Sequence, residues 1–138
     1  MSSMLSQILD RIDVILKASA PVGTTVWRDR ADAESRSEAP GINVLAREGS
    51  VSAFAHDKDK HDTQIELRIR VRAEPGTPSA ETVHAAVHTA LMRDGTLQQM
   101  TIWYRLTEYS FDIAEADLTE LKKTVRYRFI YLVPSDQI

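Results

Sequence analysis

Residues 63–73 read Thr-Gln-Ile-Glu-Leu-Arg-Ile-Arg-Val-Arg-Ala. Ile65, Leu67, Ile69 and Val71 alternate without a break against Glu66, Arg68, Arg70 and Arg72. Side chains on a strand point to opposite faces with a period of two, so one face of this strand is aliphatic and the other ionic. Such a strand belongs to a sheet covered on one side only, the usual condition of antiparallel sheets. Residues 122–133 repeat the pattern near the end of the chain. Tyr127, Phe129, Tyr131 and Val133 point one way, and Arg126, Arg128, Ile130 and Leu132 point the other. If both apolar faces bury against helices, Arg68, Arg70, Arg72, Arg126 and Arg128 share the open face.

The segments around these strands supply the helices and turns. Leu5, Ile8, Leu9, Ile12, Ile15 and Leu16 recur with a 3.6-residue period and predict an amphipathic helix of about four turns. Ser2 or Ser3 can cap its start, and Pro21 and Gly23 end it. Thr24, Thr25, Val26 and Trp27 form a short strand. Residues 28–39 are polar, lack an apolar stripe and read as a solvated loop. Ile42, Val44 and Leu45 open another strand, Glu48-Gly49 marks a turn or bulge, and Val51, Ala53 and Phe54 continue it. Residues 56–62, His-Asp-Lys-Asp-Lys-His-Asp, connect it as a charged hairpin tip to the strand at 63–73. Pro75 and Gly76 break the chain. A second helix follows over 79–92, capped by Thr77 or Ser79, with Val83, Val87, Ala90 and Leu91 as its stripe and Asp94-Gly95 as its stop. Ile102 begins a further strand that Phe111 prolongs, and residues 115–117 are a turn. The expectation is one domain over residues 1–138. Its class is α+β: a mainly antiparallel sheet with two helices packed on one face, in the order α-β-β-β-α-β-β.

Composition narrows the function classes. The chain has 138 residues, enough for a hydrophobic core, with 43% hydrophobic and 27% charged residues. A formal net charge of −3 argues against a general nucleic-acid coat. Cysteine is absent, which removes disulfides, thiolate metal sites and cysteine nucleophiles. No apolar run approaches the roughly 20 residues a membrane span needs.

His84 and His88 share a helix face at i and i+4, with Glu81 one turn earlier, so two imidazoles could hold one metal. The His-Glu-x-x-His pattern of zinc peptidases is absent, and position 85 is Ala. Histidines flanking the buried stripe and meeting water are the simpler reading. His56, Asp57, Asp59, His61 and Asp62 crowd one loop without EF-hand spacing, and Lys58 and Lys60 repel a cation. There is no Gly-x-Ser-x-Gly elbow and no glycine-rich phosphate loop among the 5 glycines. No catalytic residues, cofactor or metal are expected, and the chain reads as a non-enzyme. The arginine face suits pairing with carboxylates across a subunit boundary or lining a passage used by DNA. Alternatively, it only blunts aggregation at exposed strand positions.

The order and spacing of these pieces resemble the tail terminator proteins of long-tailed phages, the lambda-type minor tail protein family. The resemblance spans nearly the whole chain. It runs from the N-terminal helix and Thr24-Thr25-Val26-Trp27 through Ala39-Pro40-Gly41-Ile42-Asn43-Val44 and the alternating strand. It continues with Pro75-Gly76, Leu91-Met92-Arg93-Asp94, Tyr109-Ser110-Phe111-Asp112 and the closing strand at Arg126. It implies a homo-oligomer, a hexameric ring that caps the tail tube, stops its polymerisation and presents the surface to which the head joins. The implied partners are the major tail tube protein and head-tail connector proteins. DNA only passes through the lumen. The implied place is the virion tail, reached from the host cytoplasm during assembly. Head-tail completion proteins of related fold are the nearest alternative, and a small metal-dependent α+β enzyme or ligand-binding domain a more distant one. Interface residues inferred from the sequence are Arg68, Arg70, Arg72, Arg126, Arg128, Arg28, Arg30, Asp57 and Asp59.

Overall fold

A computed structural model describes residues 3–28, 40–72, 76–113 and 120–138. Helix α1 spans Met4–Ser19, β1 Thr25–Arg28, β2 Gly41–Ala55, β3 Lys58–Arg72 and α2 Ala80–Arg93. They are followed by α3 at Gly95–Met100, β4 at Trp103–Ile113 and β5 at Glu120–Pro134. The five strands form one sheet in the order β1-β2-β3-β5-β4. Only β1 and β2 run parallel, and the remaining neighbours are antiparallel. The α+β class and the mainly antiparallel sheet under helices are as the sequence predicts.

Helix α1 starts where the Ser3 hydroxyl accepts the Ser6 amide, 3.1 Å away, which satisfies one of the orphan donors of the first turn. It ends in a turn through Gly23, whose φ of 90° is readily adopted only by a residue without Cβ. Its stripe of Ile8, Leu9, Ile12, Ile15 and Leu16 is buried. Ser79 caps α2 in the same way, accepting from the Thr82 amide at 3.1 Å.

The expected end of the second helix at Asp94-Gly95 is half right. Helix α2 does stop there, but Gly95 opens a third helix, α3. The Asp94 carboxylate makes this possible by accepting the Leu97 amide at 2.9 Å. It also accepts two hydrogen bonds from Arg11 of α1, at 3.0 and 2.6 Å, so one side chain joins all three helices. Those bonds hold the Asp94 carboxyl below its usual range.

The helices cover the aliphatic face of the sheet. Ile65, Leu67, Ile69 and Val71 of β3 meet Val125, Tyr127, Phe129, Tyr131 and Val133 of β5 in one core. Tyr104 stacks on Phe129 with ring centres 5.0 Å apart, and its hydroxyl donates to the Leu91 carbonyl at 2.5 Å. This contact ties the start of β4 to the end of α2.

Two regions escape the helical cover. The first is the β2–β3 hairpin. Its turn is only His56-Asp57, so most of the charged segment read as a tip is strand. Both strands have 15 residues, and residues 47–58 are all exposed. Charged residues here mark an exposed arm rather than a loop, its β3 half still paired to β5. A register shift between Ala46 and Gly49 is the bulge expected at Glu48-Gly49. A Cβ at Gly49 would come 3.1 Å from the Asp62 carbonyl and from Thr63 Oγ1. The second region is the far half of β4, where Tyr109 and Phe111 are exposed.

Candidate functional site

Strand β5 places functional side chains on both faces of the sheet. On the helix side, Lys123 and Tyr127 follow the same alternation as Val125 and Phe129, so a lysine points into the core. Its residue is only 4% exposed. A buried ammonium needs partners, because losing its hydration otherwise costs several kcal/mol. Helix α2 supplies them. Lys123 Nζ lies 2.5 Å from Glu81 Oε1 and 2.8 Å from His84 Nδ1. The Tyr127 hydroxyl lies 2.9 Å from His84 Nε2 and 2.7 Å from His88 Nδ1.

The chemistry of the donors orders this chain. An ammonium only donates, so Nδ1 of His84 accepts and its proton sits on Nε2. His84 therefore donates to the Tyr127 oxygen. The Tyr127 hydroxyl then donates to Nδ1 of His88, whose own proton is left on Nε2. A directed run of hydrogen bonds links Glu81, Lys123, His84, Tyr127 and His88. Burial, then the charge of Lys123, pushes the His84 imidazole down to about 4 against the pull of Glu81. It is held neutral. Burial raises Tyr127 above its ordinary range. The Lys123 hydrogen bond lowers Glu81.

Beside this network lies a cleft of roughly 500 Å³ between α2 and β4. Ala85 and His88 form one wall, Leu106, Tyr109 and Phe111 the other, with Lys123 at the floor. Tyr109 and Phe111 meet edge to face at 5.9 Å. Lys123 Nζ sits 5.2 and 5.3 Å from their ring centres, within cation–π range. Both rings are still more than half exposed, Tyr109 at 64% and Phe111 at 54%.

The histidine pair singled out in the sequence is thus brought together, but around a tyrosine. His84 is buried, which corrects the expectation that both rings meet water. Among the described residues no group of three or more metal-ligating side chains could hold an ion. Sequence reasoning placed Tyr127 on the apolar face without a role and missed Lys123. The signal was available in the alternation of β5, which puts every odd position from 123 to 133 on the core side.

The opposite face carries the arginines. Glu66 pairs in register with Arg126, so β3 and β5 present their arginines to the same side. The five do share one face, yet carboxylates divide it. Glu66, 1% exposed, accepts from Arg68 Nε at 2.7 Å and from Arg126 Nε at 3.0 Å. Burial pushes Glu66 up, but the two guanidinium bonds outweigh it and leave its carboxyl below the usual range. Arg126 also donates to Glu108 at 2.8 Å. Arg128 donates through Nε to both oxygens of Asp62, at 2.8 and 2.9 Å, and lowers that carboxyl. Arg128 and Arg105 each lie 5.7 Å from the Trp103 ring centre. Arg70 and Arg72 are engaged as well. Around Arg68, Arg126 and Arg128 this surface is a lattice of paired charges rather than a bare cationic patch.

The remaining sequence-inferred residues separate. Arg28 pairs with Asp10 of α1, within its own chain. Arg30 lies outside the described residues, as does the rest of the loop at 29–39. Asp57 and Asp59 sit at the end of the arm.

No described helix is long and apolar enough to cross a membrane. Searches of protein-family models and of curated proteins find nothing that matches this chain.

Proposed function

We propose that this chain is a ring-forming structural subunit of the phage tail-terminator class. It works by assembly: a homo-oligomer, hexameric as the resemblance implies, caps the tail tube, ends its growth and offers the head-joining surface. Its partners are copies of itself, the tube protein on one side and connector proteins on the other, with DNA only passing through the lumen. It acts in the virion tail and is not an enzyme.

One observation carries this reading. The large apolar side chains that strands leave uncovered gather in two places, the hairpin arm and edge strand β4. Val51 and Phe54 are 60% and 58% exposed on the arm, and Trp103, Tyr109 and Phe111 are exposed on β4. Natural sheets guard their edges, and apolar side chains left there in a stable protein mark contact surfaces. The paired outer face adds support. Arg68, Arg126 and Arg128 pair with carboxylates of their own chain, which suits a lumen wall that must not hold passing DNA. Asp57 and Asp59 sit at the turn end of the hairpin, where they can meet a neighbour.

Light scattering across a series of salt and protein concentrations, with electron microscopy of the same samples, tests the proposal. The expected result is a ring near 93 kDa, six times the 15.5 kDa chain. A monomer under every condition would sink it.

A further inference from the structure

Asp94 is the only aspartate in the chain followed by glycine, and the single asparagine, Asn43, precedes valine. An Asp-Gly linkage is the one most open to rearrangement of the backbone itself. A following residue without Cβ leaves its amide nitrogen free to reach the aspartyl Cγ. The fold does not call for glycine at this position. Gly95 is not among the glycines with positive φ, and a Cβ on it would meet nothing within 4 Å. Asp94, by contrast, is the carboxylate that joins α1, α2 and α3. A side chain on which three helices depend thus sits at the linkage of this chain most prone to isomerise.

We propose that Asp94-Gly95 is a site of spontaneous isoaspartate formation and that Arg11 is its guard. In the reaction the Gly95 nitrogen bonds to Cγ of Asp94 and gives up its proton. One carboxyl oxygen leaves as water, and a five-membered imide remains. Water then opens that ring, and attack at the main-chain carbonyl leaves the chain running through Cγ. Only water is exchanged, so no oxidant or co-reactant is needed. Three features hold the reaction off while the joint is closed. Arg11 donates through Nε and Nη2 at 3.0 and 2.6 Å and the Leu97 amide donates at 2.9 Å, so both carboxylate oxygens are held in a side chain only 11% exposed. The same bonds, that of Arg11 foremost, keep the carboxyl ionised, whereas ring closure proceeds through the acid, whose oxygen can leave as water. The cap geometry holds Asp94 at a ψ of 114°, away from the eclipsed arrangement in which its side chain meets the Gly95 nitrogen. Opening the Arg11 bonds removes the first two restraints together. The isomer carries its carboxylate on a different carbon and adds one methylene to the main chain, so neither Leu97 nor Arg11 regains its partner. The joint thereby records having been open. This inference is independent of the assembly reading.

The test incubates wild type, Arg11→Gln, Arg11→Lys and Gly95→Ala at neutral pH and body temperature, with wild type in guanidinium chloride as the unguarded reference. Isoaspartate at position 94 is counted in peptide digests by electron-transfer fragmentation. Arg11→Gln should accumulate it roughly tenfold or more faster than wild type, the scale on which a hydrogen bond to a charged group sets the open population. Arg11→Lys keeps the charge but loses the forked donors, and should fall between the two. It also keeps the comparison if Arg11→Gln fails to fold, which circular dichroism reports. Gly95→Ala should slow the reaction in the folded and the unfolded chain alike, because its Cβ hinders the attacking nitrogen. Equal rates in wild type and both Arg11 variants would remove Arg11 as the guard and overturn the proposal. A wild-type chain that isomerises as fast folded as unfolded would do the same, as would an unfolded chain that forms no isoaspartate at 94.

Discussion

Strand β5 bears two polar systems on opposite faces, and they differ in almost every physical respect. Inward, Lys123 and Tyr127 belong to a linear run of hydrogen bonds in which each buried group has only one or two partners. Outward, Arg126 and Arg128 belong to a lattice in which water can replace a lost partner. Buried polar groups left without partners cost their full desolvation, whereas exposed ion pairs contribute little net stability. The same strand thus holds a brittle array and a forgiving one, and side-chain parity alone decides which residue joins which.

The contrast breaks most visibly at Tyr127. Tyr127→Phe keeps the ring but strands His84 Nε2–H and His88 Nδ1 beneath α2. The expected loss is roughly 2–6 kcal/mol in chemical denaturation, from two orphaned groups at about 1–3 each. If the loss is under 1 kcal/mol, water reaches the network and the brittle description is wrong.

Acid tests the same array. The fold holds His84 neutral down to about pH 4, whereas an unfolded chain takes up that proton near 6.5. A depressed histidine therefore contributes stability above pH 6.5 and loses it as pH falls toward 4. The loss at pH 4 is on the order of 3 kcal/mol. Carboxylates such as Asp94 and Glu66 also lose stability in acid, so the informative quantity is the difference between wild type and His84→Gln. That difference should narrow between pH 6.5 and 4, and a constant gap would refute the assignment.

Glu66 lies between the extremes, since it faces outward yet is buried under two guanidinium groups. Glu66→Gln should cost about 1–2 kcal/mol, the range for a charged hydrogen bond weakened rather than orphaned. Asp62→Asn should give the smallest effect, a shift in thermal midpoint that 0.5–1 M salt erases, because screening shortens to a few ångströms there. A salt-independent loss at Asp62 would place it with Glu66 instead.

Much of the fold was legible because two periods are strong in this sequence. The stripe from Leu5 to Leu16 and the alternation from Ile65 to Val71 need no tertiary information. The caps at Ser3 and Ser79 were readable too. Helix α3 was not, since it has only six residues and Gly95 at its start reads as a stop. Its existence depends on the carboxylate of Asp94 and on Arg11, 83 residues away. The charged arm misled for a different reason: strand pairing continues past the point where helices cover it, and local polarity then mimics a loop. In the site, the His84–His88 spacing was visible, but Lys123 and Tyr127 arrive through sheet register. The shared arginine face followed from parity. The acids that neutralise it did so only in part: Glu66 shares the strand of Arg68, while Glu108 reaches Arg126 through the pairing of β4 with β5.

The Arg11–Asp94 bond also bears on how the protein is made. Helix α1 emerges from the ribosome before α2 and α3, and its anchor is synthesised 83 residues later. At roughly 5–20 residues per second, the stripe of Ile8, Leu9, Ile12, Ile15 and Leu16 waits about 4–17 seconds for that anchor. Chains stalled before residue 94 should expose this stripe to protease and to chaperones, and chains released past the end of β5 should not.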